Sequence, residues 1–178
     1  DAIISNTSGC GTTLKDYGHI FKNDKDLKKK AKKISELTKD ISEYLEEKVK
    51  LNFVIKPTNG KKYKIAYHSA CSLQHGQKVH NEAINLIKKT GNNVLEISDG
   101  HICCGSAGTY NLLQNEIANK LLKSKVNNIE KINPQFISTG NIGCITHIAK
   151  GTKIPILHTV EIIDWYTGGP KPEVLKKL

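Results

Sequence analysis

The feature that most constrains this chain is a pair of adjacent cysteines followed by a glycine, Cys103-Cys104-Gly105. Adjacent cysteines cannot easily form a disulfide with each other, because the required Cα separation and dihedral angle strain the peptide between them. Both thiolates can point to one metal centre if the backbone turns sharply, and glycine permits such a turn by adopting a positive φ. We therefore predict a positive φ at Gly105 and a shared role for the two sulfurs.

Two further cysteines follow apolar segments and are placed to join this pair. Cys71 comes after the run Ile65–Ala70, and Cys144 comes after the run Phe136–Thr139. Because the carboxyl ends of parallel strands meet at one edge of a sheet, we expect all four cysteines to converge there. The spacing is neither that of a zinc ribbon nor that of a ferredoxin. The pattern alone indicates a cysteine-ligated metal or redox centre, and cysteines that merely pack are the alternative.

Length and composition favour a single α/β unit from an intracellular protein. The 178 residues can form one substantial core, and none of the apolar runs is long enough to span a membrane. The chain begins with Asp1 and contains no Met, which favours a fragment of a longer protein. Five cysteines are an odd number without the look of a disulfide framework, so we expect a cytoplasmic location.

The net charge of +10 comes from Lys alone, since the chain has no Arg. Base and phosphate recognition relies largely on the bidentate guanidinium group of Arg. We therefore interpret the Lys residues as a solvated surface and predict no nucleic-acid binding. An anionic membrane surface or an acidic partner subunit is still compatible with this charge.

Strands and helices alternate along the chain, which predicts a parallel sheet covered by helices on both faces. Before residue 57 we expect a strand over 2–6, a turn over 7–11, a helix over 12–21 and one long amphipathic helix over about 24–47. After it we expect strands over 63–68, 93–97, 136–139 and 154–157, with helices over 77–89, 107–128 and 159–166. The turn residues Pro57-Thr58-Asn59-Gly60 are the predicted boundary between the two parts.

An internal similarity suggests that the two parts are related. Ser8-Gly9-Cys10-Gly11 follows one apolar strand, and Ile142-Gly143-Cys144-Ile145 follows another. We therefore predict that residues 1–56 are the C-terminal part of a first repeat and that residues 57–178 are a complete second repeat. Cys10 is then expected to belong to the site of the preceding repeat, separate from the other four cysteines.

The pattern Cys71…Cys103-Cys104-Gly105…Cys144-x-x-His147 resembles the CCG (cysteine-rich) domain family. This domain occurs, usually twice, in heterodisulfide reductases, in lactate-utilisation proteins and in the iron–sulfur subunit of glycolate oxidase. The resemblance is strongest to the C-terminal part of the last group. The segments that carry it are Asn6–Tyr17, Tyr67–Gln77, His101–Tyr110, Asn141–His147 and His158–Asp164.

The resemblance implies an electron-transfer subunit of a complex that oxidises glycolate or another 2-hydroxy acid. Electrons would come from a flavin-containing subunit, and the complex could lie at the inner face of the cytoplasmic membrane. The chain alone is expected to be inactive. A lactate-utilisation or heterodisulfide-reductase-like redox subunit is one alternative, and a zinc-binding or metal-free docking module that holds a partner is another.

The resemblance also implies an iron–sulfur cluster, with zinc as the alternative metal. Where the family pattern ends in a second cysteine this chain has His147, which leaves the type of cluster open. The implied metal ligands are Cys71, Cys103, Cys104, Cys144 and His147, with Cys10 in the separate site. The implied cofactor-binding residues are His101, Gly105 and Gly108.

Other histidines close to the cysteines could tune the cluster or shuttle protons. We instead interpret His68, His75 and His101 as residues that form capping or core hydrogen bonds. His158 is expected to be structural.

Overall fold

The computed structural model describes residues 1–56 and 62–176, and the predicted turn at Pro57–Gly60 lies outside these ranges. The strands are β1 (Ile3–Ser5), β2 (Thr38–Asp40), β3 (Lys64–Tyr67), β4 (Asn93–Leu95), β5 (Phe136–Thr139) and β6 (Ile156–His158). The helices are α1 (Ser8–Ile20), α2 (Lys28–Leu37), α3 (Ile41–Lys48), α4 (Glu82–Lys89), α5 (Tyr110–Leu113), α6 (Asn115–Lys131), α7 (Ile142–Ile148) and α8 (Thr159–Tyr166). A π-helix covers Ser72–Gln77, and a short 3₁₀ turn covers Glu173–Leu175.

Within the described residues the larger sheet has four parallel strands in the order β4-β3-β5-β6. Successive residues of β3 alternate between its faces. Ile65 and Tyr67 pack with the apolar residues of α4 and α8, whereas Ala66 packs with those of α6 and α7. Helices therefore cover both faces of a parallel sheet, which confirms the predicted fold class.

A smaller sheet lies in the first part of the chain, where β1 pairs with β2 in parallel. The prediction of one long helix over 24–47 is wrong here, because β2 separates α2 from α3. Thr38 and Asp40 are buried in this strand, and the Asp40 carboxylate accepts the Ser42 backbone N–H at 2.9 Å to begin α3. Strand pairing and N-capping thus outweigh a continuous amphipathic pattern.

The smaller unit and the last part of the larger one have the same order of elements. Each has a strand, a helix that begins within three residues of it, a parallel neighbouring strand and a helix after that strand, except that the smaller unit has α2 as an additional helix before β2. The first helix has a cysteine as its third residue in both units. The helix after the second strand, α3 in one unit and α8 in the other, starts with a capping box. Asp40 and Glu43 form it in α3, and His158 and Glu161 form it in α8.

The smaller unit packs against the carboxyl edge of the larger sheet through the start of α1. The Ser8 backbone N–H donates to the Gly140 carbonyl at 3.3 Å, and the Ser8 and Ser72 hydroxyls lie 2.7 Å apart. The Thr12 hydroxyl donates to the Ser72 carbonyl at 2.9 Å. Hydrogen bonds from α1 therefore fix the segment that follows Cys71.

Three predicted helix boundaries are wrong for local reasons. Helix α1 begins at Ser8, so Cys10 lies in the helix rather than in a turn. The helix expected from residue 77 begins at Glu82, because Lys78 adopts a left-handed φ of 59° after the π-helix. The helix expected over 107–128 begins later and is interrupted, because Ala107 and Gly108 have positive φ and Gln114 separates α5 from α6.

Candidate metal centre

A cavity of about 510 Å³ at the carboxyl edge of the larger sheet is lined by all four cysteines that the sequence singles out, Cys71, Cys103, Cys104 and Cys144. The cysteines lie in the segments that follow β3, β4 and β5. In the sheet, β4 and β5 lie on opposite sides of β3, so the direction in which successive strands are added reverses there. Such a reversal of strand order opens a crevice in which α/β proteins bind ligands. The expected convergence of the four cysteines is therefore observed.

Each thiol is positioned by a well-defined backbone element. Cys71 immediately precedes the π-helix. Cys144 is buried in the first turn of α7, whose start is fixed because the Asn141 side chain accepts the Gly143 backbone N–H at 3.0 Å. Short polar side chains at this position cap helices efficiently. The direction in which Cys144 points thus follows from the Asn141 cap.

Gly105 adopts a φ of +96°, as predicted. A Cβ atom here would lie 2.4 Å from the Ala118 carbonyl oxygen and 3.0 Å from His147 Nε2, so only glycine fits. The Gly105 backbone N–H donates to Cys103 Sγ at 3.3 Å. The turn therefore separates the two neighbouring side chains and also supplies a hydrogen bond to one of the sulfurs.

Gly108 also has a positive φ, of +61°, and lines the cavity. A Cβ atom here would meet nothing within 4 Å, in contrast to Gly105. The helix expected over 107–128 therefore does not include Gly108, since α5 begins at Tyr110.

The four thiols influence one another's protonation. Hydrogen bonds from Cys104 and then Cys71 lower the pKa of Cys103 to about 2, and Cys104 lowers the pKa of Cys144 to about 5. The same hydrogen bonds, together with burial, raise the pKa values of Cys71 and Cys104. Mutual hydrogen bonding therefore favours the thiolate form of Cys103 and Cys144, and thiolate is the form of cysteine that binds metals.

Two buried histidines lie close to residues of the cysteine segments without lining the cavity themselves. In the described part of the chain neither ring nitrogen of His68 or of His147 has a hydrogen-bond partner. A ligand atom of His68 lies within 4.8 Å of Cys104 Sγ and Cys144 Sγ, which are themselves within that distance of each other. The interpretation of His68 as a core residue held by hydrogen bonds is therefore wrong. His147 Nε2 instead lies against the backbone of Gly105.

His75 and His158 have structural roles, as expected. The Nε2 atom of His75 lies 3.2 Å from the His101 carbonyl, and His158 caps α8. His101, predicted to bind the cofactor, lines a neighbouring cavity on the β4 side of β3 and not the one that holds the cysteines.

Cys10 does not line the cysteine cavity, although its neighbour Gly9 does. The Cys10 side chain is exposed. Its separation from the other four cysteines agrees with the expected arrangement, and its assignment to another metal site stays a prediction.

Lys125 is a feature of the site that the sequence analysis missed. It is 2% exposed, and its ammonium group donates to the Asp99 carbonyl at 2.8 Å, which ties α6 to the loop before Cys103. Burial lowers its pKa, whereas the nearby Cys104 thiol acts in the opposite direction. Its spacing from Leu122 and Ile129 on the buried face of α6 was the signal that could have identified it.

The donor set fits a metal that prefers soft ligands. Thiolate and imidazole suit iron–sulfur clusters and zinc, whereas magnesium and calcium prefer oxygen ligands. Four sulfurs border one cavity, and two buried imidazoles beside it have no hydrogen-bond partner among the described residues. The residues present are therefore suited to the implied cluster.

A comparison with protein families agrees with this geometry. The sequence pattern of the family described as "Cysteine-rich domain" matches residues 65–149, a segment that contains β3, β4, β5 and all four cysteines of the cavity. The match ends before β6 and α8, which complete the larger sheet and one of its faces.

Relatives of the whole chain are iron–sulfur and lactate-utilisation proteins. The chain is 39% identical over 164 residues to the glycolate oxidase iron–sulfur subunit of Escherichia coli K12, covering 92% of this chain and 39% of that protein. It is 31% identical over 153 residues to the probable glycolate oxidase iron–sulfur subunit of Bacillus subtilis 168, covering 85% of this chain and 34% of that protein. It is 23% identical over 170 residues to lactate utilization protein A of Geobacillus sp. WCH70, covering 92% of this chain and 70% of that protein.

The chain thus spans about two fifths of the Escherichia coli subunit. Among the described residues, no helix combines the length and apolar character that crossing a membrane requires.

Proposed function

We propose that this chain is an electron-transfer part of a complex that oxidises glycolate or a related 2-hydroxy acid. The observation that carries the proposal is the single cavity lined by Cys71, Cys103, Cys104 and Cys144. Its support is the similarity to proteins named as glycolate oxidase iron–sulfur subunits, which extends over most of this chain.

In this proposal the four cysteines and His147 hold an iron–sulfur cluster, which when bound transfers single electrons. The Gly105 N–H, already directed at Cys103 Sγ, lowers the electron density on the sulfur and so favours the reduced state. Lys125 contributes a buried positive charge that offsets the thiolates. The protein groups therefore set both the position and the reduction potential of the centre.

The electron donor in this proposal is a flavin-containing subunit, and the complex lies in the cytoplasm or at the inner face of the cytoplasmic membrane. Residues 1–56 are the end of a preceding repeat to which Cys10 belongs. The matching order of elements in the two units supports this division, as does the absence of Cys10 from the cavity lining.

The test begins with the chain produced and purified without oxygen. Iron and acid-labile sulfide are measured per chain, and an electron paramagnetic resonance spectrum is recorded after reduction. The chain is then mixed with photoreduced flavin mononucleotide, whose reoxidation reports electron transfer. We expect the paramagnetic resonance signal and the flavin reoxidation in the wild type and in Cys10→Ser. We expect neither in Cys104→Ser.

A zinc-binding docking module is the second candidate, because one nitrogen and two sulfurs lie close together in His68, Cys104 and Cys144. Zinc does not undergo redox chemistry, so it would only tie the strand ends together. Stoichiometric zinc without iron in the anaerobically purified chain would establish this candidate and contradict the first.

A further inference from the structure

We propose that His68 is itself a metal ligand, forming with Cys104 and Cys144 an inner triad of one nitrogen and two sulfurs. This inference rests on the proposed function in that it requires a metal centre in the cysteine cavity. It assigns the nitrogen donor of the centre to His68 in place of His147, whose Nε2 lies against the backbone of Gly105. The family pattern match covers His68, but the sequence analysis placed the residue in the core.

The first argument is the position of His68 in the sheet. Its backbone N–H donates to the Ser138 carbonyl at 2.8 Å, which extends the pairing of β3 with β5 by one residue. The backbone of His68 is therefore held at the carboxyl end of β3, where the strand order reverses. A ligand atom of its side chain lies within 4.8 Å of Cys104 Sγ and Cys144 Sγ, and both cysteines line the cavity.

The second argument is the state of the imidazole. His68 is 1% exposed, and in the described ranges neither ring nitrogen has a hydrogen bond of normal geometry, although the imidazole is close enough to the Cys144 thiol to lower its pKa. Leaving a buried polar group without a partner costs about 1–3 kcal/mol. An apolar side chain could fill the same space without this cost, so packing alone does not explain a histidine at this position. A bound metal ion satisfies one of the two nitrogens directly.

A comparison within the chain strengthens this argument. His158 is a structural histidine, and both of its nitrogens are paired. Its Nδ1 accepts the Val160 backbone N–H at 3.1 Å, and its Nε2 lies 2.7 Å from the Asn6 carbonyl, to which it donates. His68 has neither kind of contact, although it is more deeply buried.

The third argument is distance. Ligand atoms of His68, Cys104 and Cys144 all lie within 4.8 Å of one another. Donors at about 2.0–2.3 Å from one tetrahedral metal ion are separated by roughly 3.3–3.8 Å. The triad therefore needs to contract by at most about 1–1.5 Å, which small side-chain rotations provide. Cys71 and Cys103, the two less buried cysteines, then form the outer side of the centre.

The test uses the cadmium isotope ¹¹³Cd²⁺ alone as a probe of the wild-type 178-residue chain, prepared without metal and with ¹⁵N-labelled histidine. Scalar coupling between cadmium and nitrogen arises only through a direct bond. We expect one imidazole to show this coupling. It should disappear in His68→Ala and persist in the control His75→Ala, because the imidazole of His75 faces the His101 carbonyl instead.

Affinity provides a second readout. His68→Ala is expected to bind cadmium at least about 10-fold more weakly, whereas His68→Cys, which restores a donor, should recover binding and add a further sulfur to the cadmium chemical shift. This rescue distinguishes a lost ligand from a lost fold. If His68→Ala does not fold, the coupling in the wild type together with the His68→Cys shift decides the question.

Three outcomes overturn the proposal. Bound cadmium without any coupling to histidine would exclude a nitrogen ligand, and coupling that persists in His68→Ala would assign the nitrogen to His147. In both cases the proposed metal centre stands and only the role of His68 fails. A wild-type chain that binds neither cadmium nor iron would instead refute the metal centre itself.

Discussion

Two strand–helix junctions in this chain have the same local structure and different surroundings. After β1 the helix α1 begins with Ser8-Gly9-Cys10, and after β5 the helix α7 begins with Ile142-Gly143-Cys144. Cys144 is 3% exposed and lines the cavity, whereas Cys10 is exposed and does not.

The difference arises from the neighbouring strands rather than from the junctions. In the described residues β5 lies between β3 and β6, so the segments that follow β3 and β4 reach Cys144 from the side. Within the same ranges, strand β1 pairs only with β2. A cysteine at such a junction becomes a potential ligand only when other strand ends converge on it.

The largest expected effect is at Gly105, which has no counterpart in the smaller unit. Gly105→Ala must bring a Cβ atom to within 2.4 Å of the Ala118 carbonyl at a positive φ. We expect a loss of about 2–4 kcal/mol in the free energy of unfolding, together with loss of bound iron. The Cys-Cys-Gly motif alone does not predict this cost, because the clash is with Ala118, which lies outside the motif. Urea denaturation and iron analysis measure the two effects.

Gly108→Ala is the matched control for this variant. Its φ is also positive, but its Cβ has free space, so we expect a cost of about 1 kcal/mol in the free energy of unfolding. Equal costs at Gly105 and Gly108 would contradict the steric argument.

The next effect separates the two junctions directly. Cys144→Ser should reduce the iron content of the anaerobically reconstituted chain to a small fraction of the wild-type value, because a hydroxyl is a poor substitute for a thiolate ligand. Cys10→Ser should leave the iron content unchanged. Equal losses in both variants would show that Cys10 belongs to the same centre, and the proposed division into repeats would then be wrong.

A smaller effect is expected at the two capping boxes. Asp40→Ala removes the acceptor for the Ser42 N–H at the start of α3, and His158→Ala removes the acceptor for the Val160 N–H at the start of α8. Each should lower the unfolding free energy, measured by urea denaturation, by about 1–2 kcal/mol. Because His158 also binds the Asn6 carbonyl, His158→Asn should retain the cap and lose only the link to the smaller unit.

The smallest effect concerns Glu43, the capping-box residue of the smaller unit. Burial opposes its ionisation, but hydrogen bonds from Lys15 and Lys39 outweigh burial and lower its pKa. A carboxylate whose pKa is lowered by folding adds stability above its unfolded pKa and loses it as the pH falls through the folded value. Glu43→Gln should therefore cost up to about 1 kcal/mol at pH 7 and progressively less below about pH 4.5.

Glu161→Gln is the counterpart in the other capping box and lacks any lysine partner among the described ion pairs. We expect this variant to lose less unfolding free energy at pH 7 than Glu43→Gln, because no ion pair with lysine is removed. Equal losses in the two variants would assign the effect to the capping box rather than to the two lysines.

The sequence predicts β5 and α8 with the boundaries that the structure has. Asn133-Pro134 separates β5 from the preceding helix, and Glu161 stands in the first turn of α8. These signals are local, so residue patterns are sufficient to read them. The convergence of the cysteines also follows from local strands combined with a general rule for parallel sheets.

What the sequence does not predict depends on contacts between distant residues. Strand β2 exists because β1 pairs with it, against a continuous helical pattern. The role of His68 depends on hydrogen bonds that are absent from its surroundings in the described structure, and sequence patterns do not contain that information. Lys125 is an intermediate case. Its position on the buried face of α6 could be predicted from the sequence, but the carbonyl to which it donates, that of Asp99, could not.

The separation of the cysteines along the chain has a consequence for biosynthesis. Cys144 is the last of the four to leave the ribosome, and its helix is positioned only after β5 has paired with β3. Until then the nascent chain exposes Cys71, Cys103 and Cys104 as separate thiols on an unfinished sheet. During translation these sulfurs are open to oxidation and to capture of stray metal ions. Delivery of the correct metal is therefore best timed after synthesis, and a cell short of reductant would lose this protein as newly made chains rather than as mature ones.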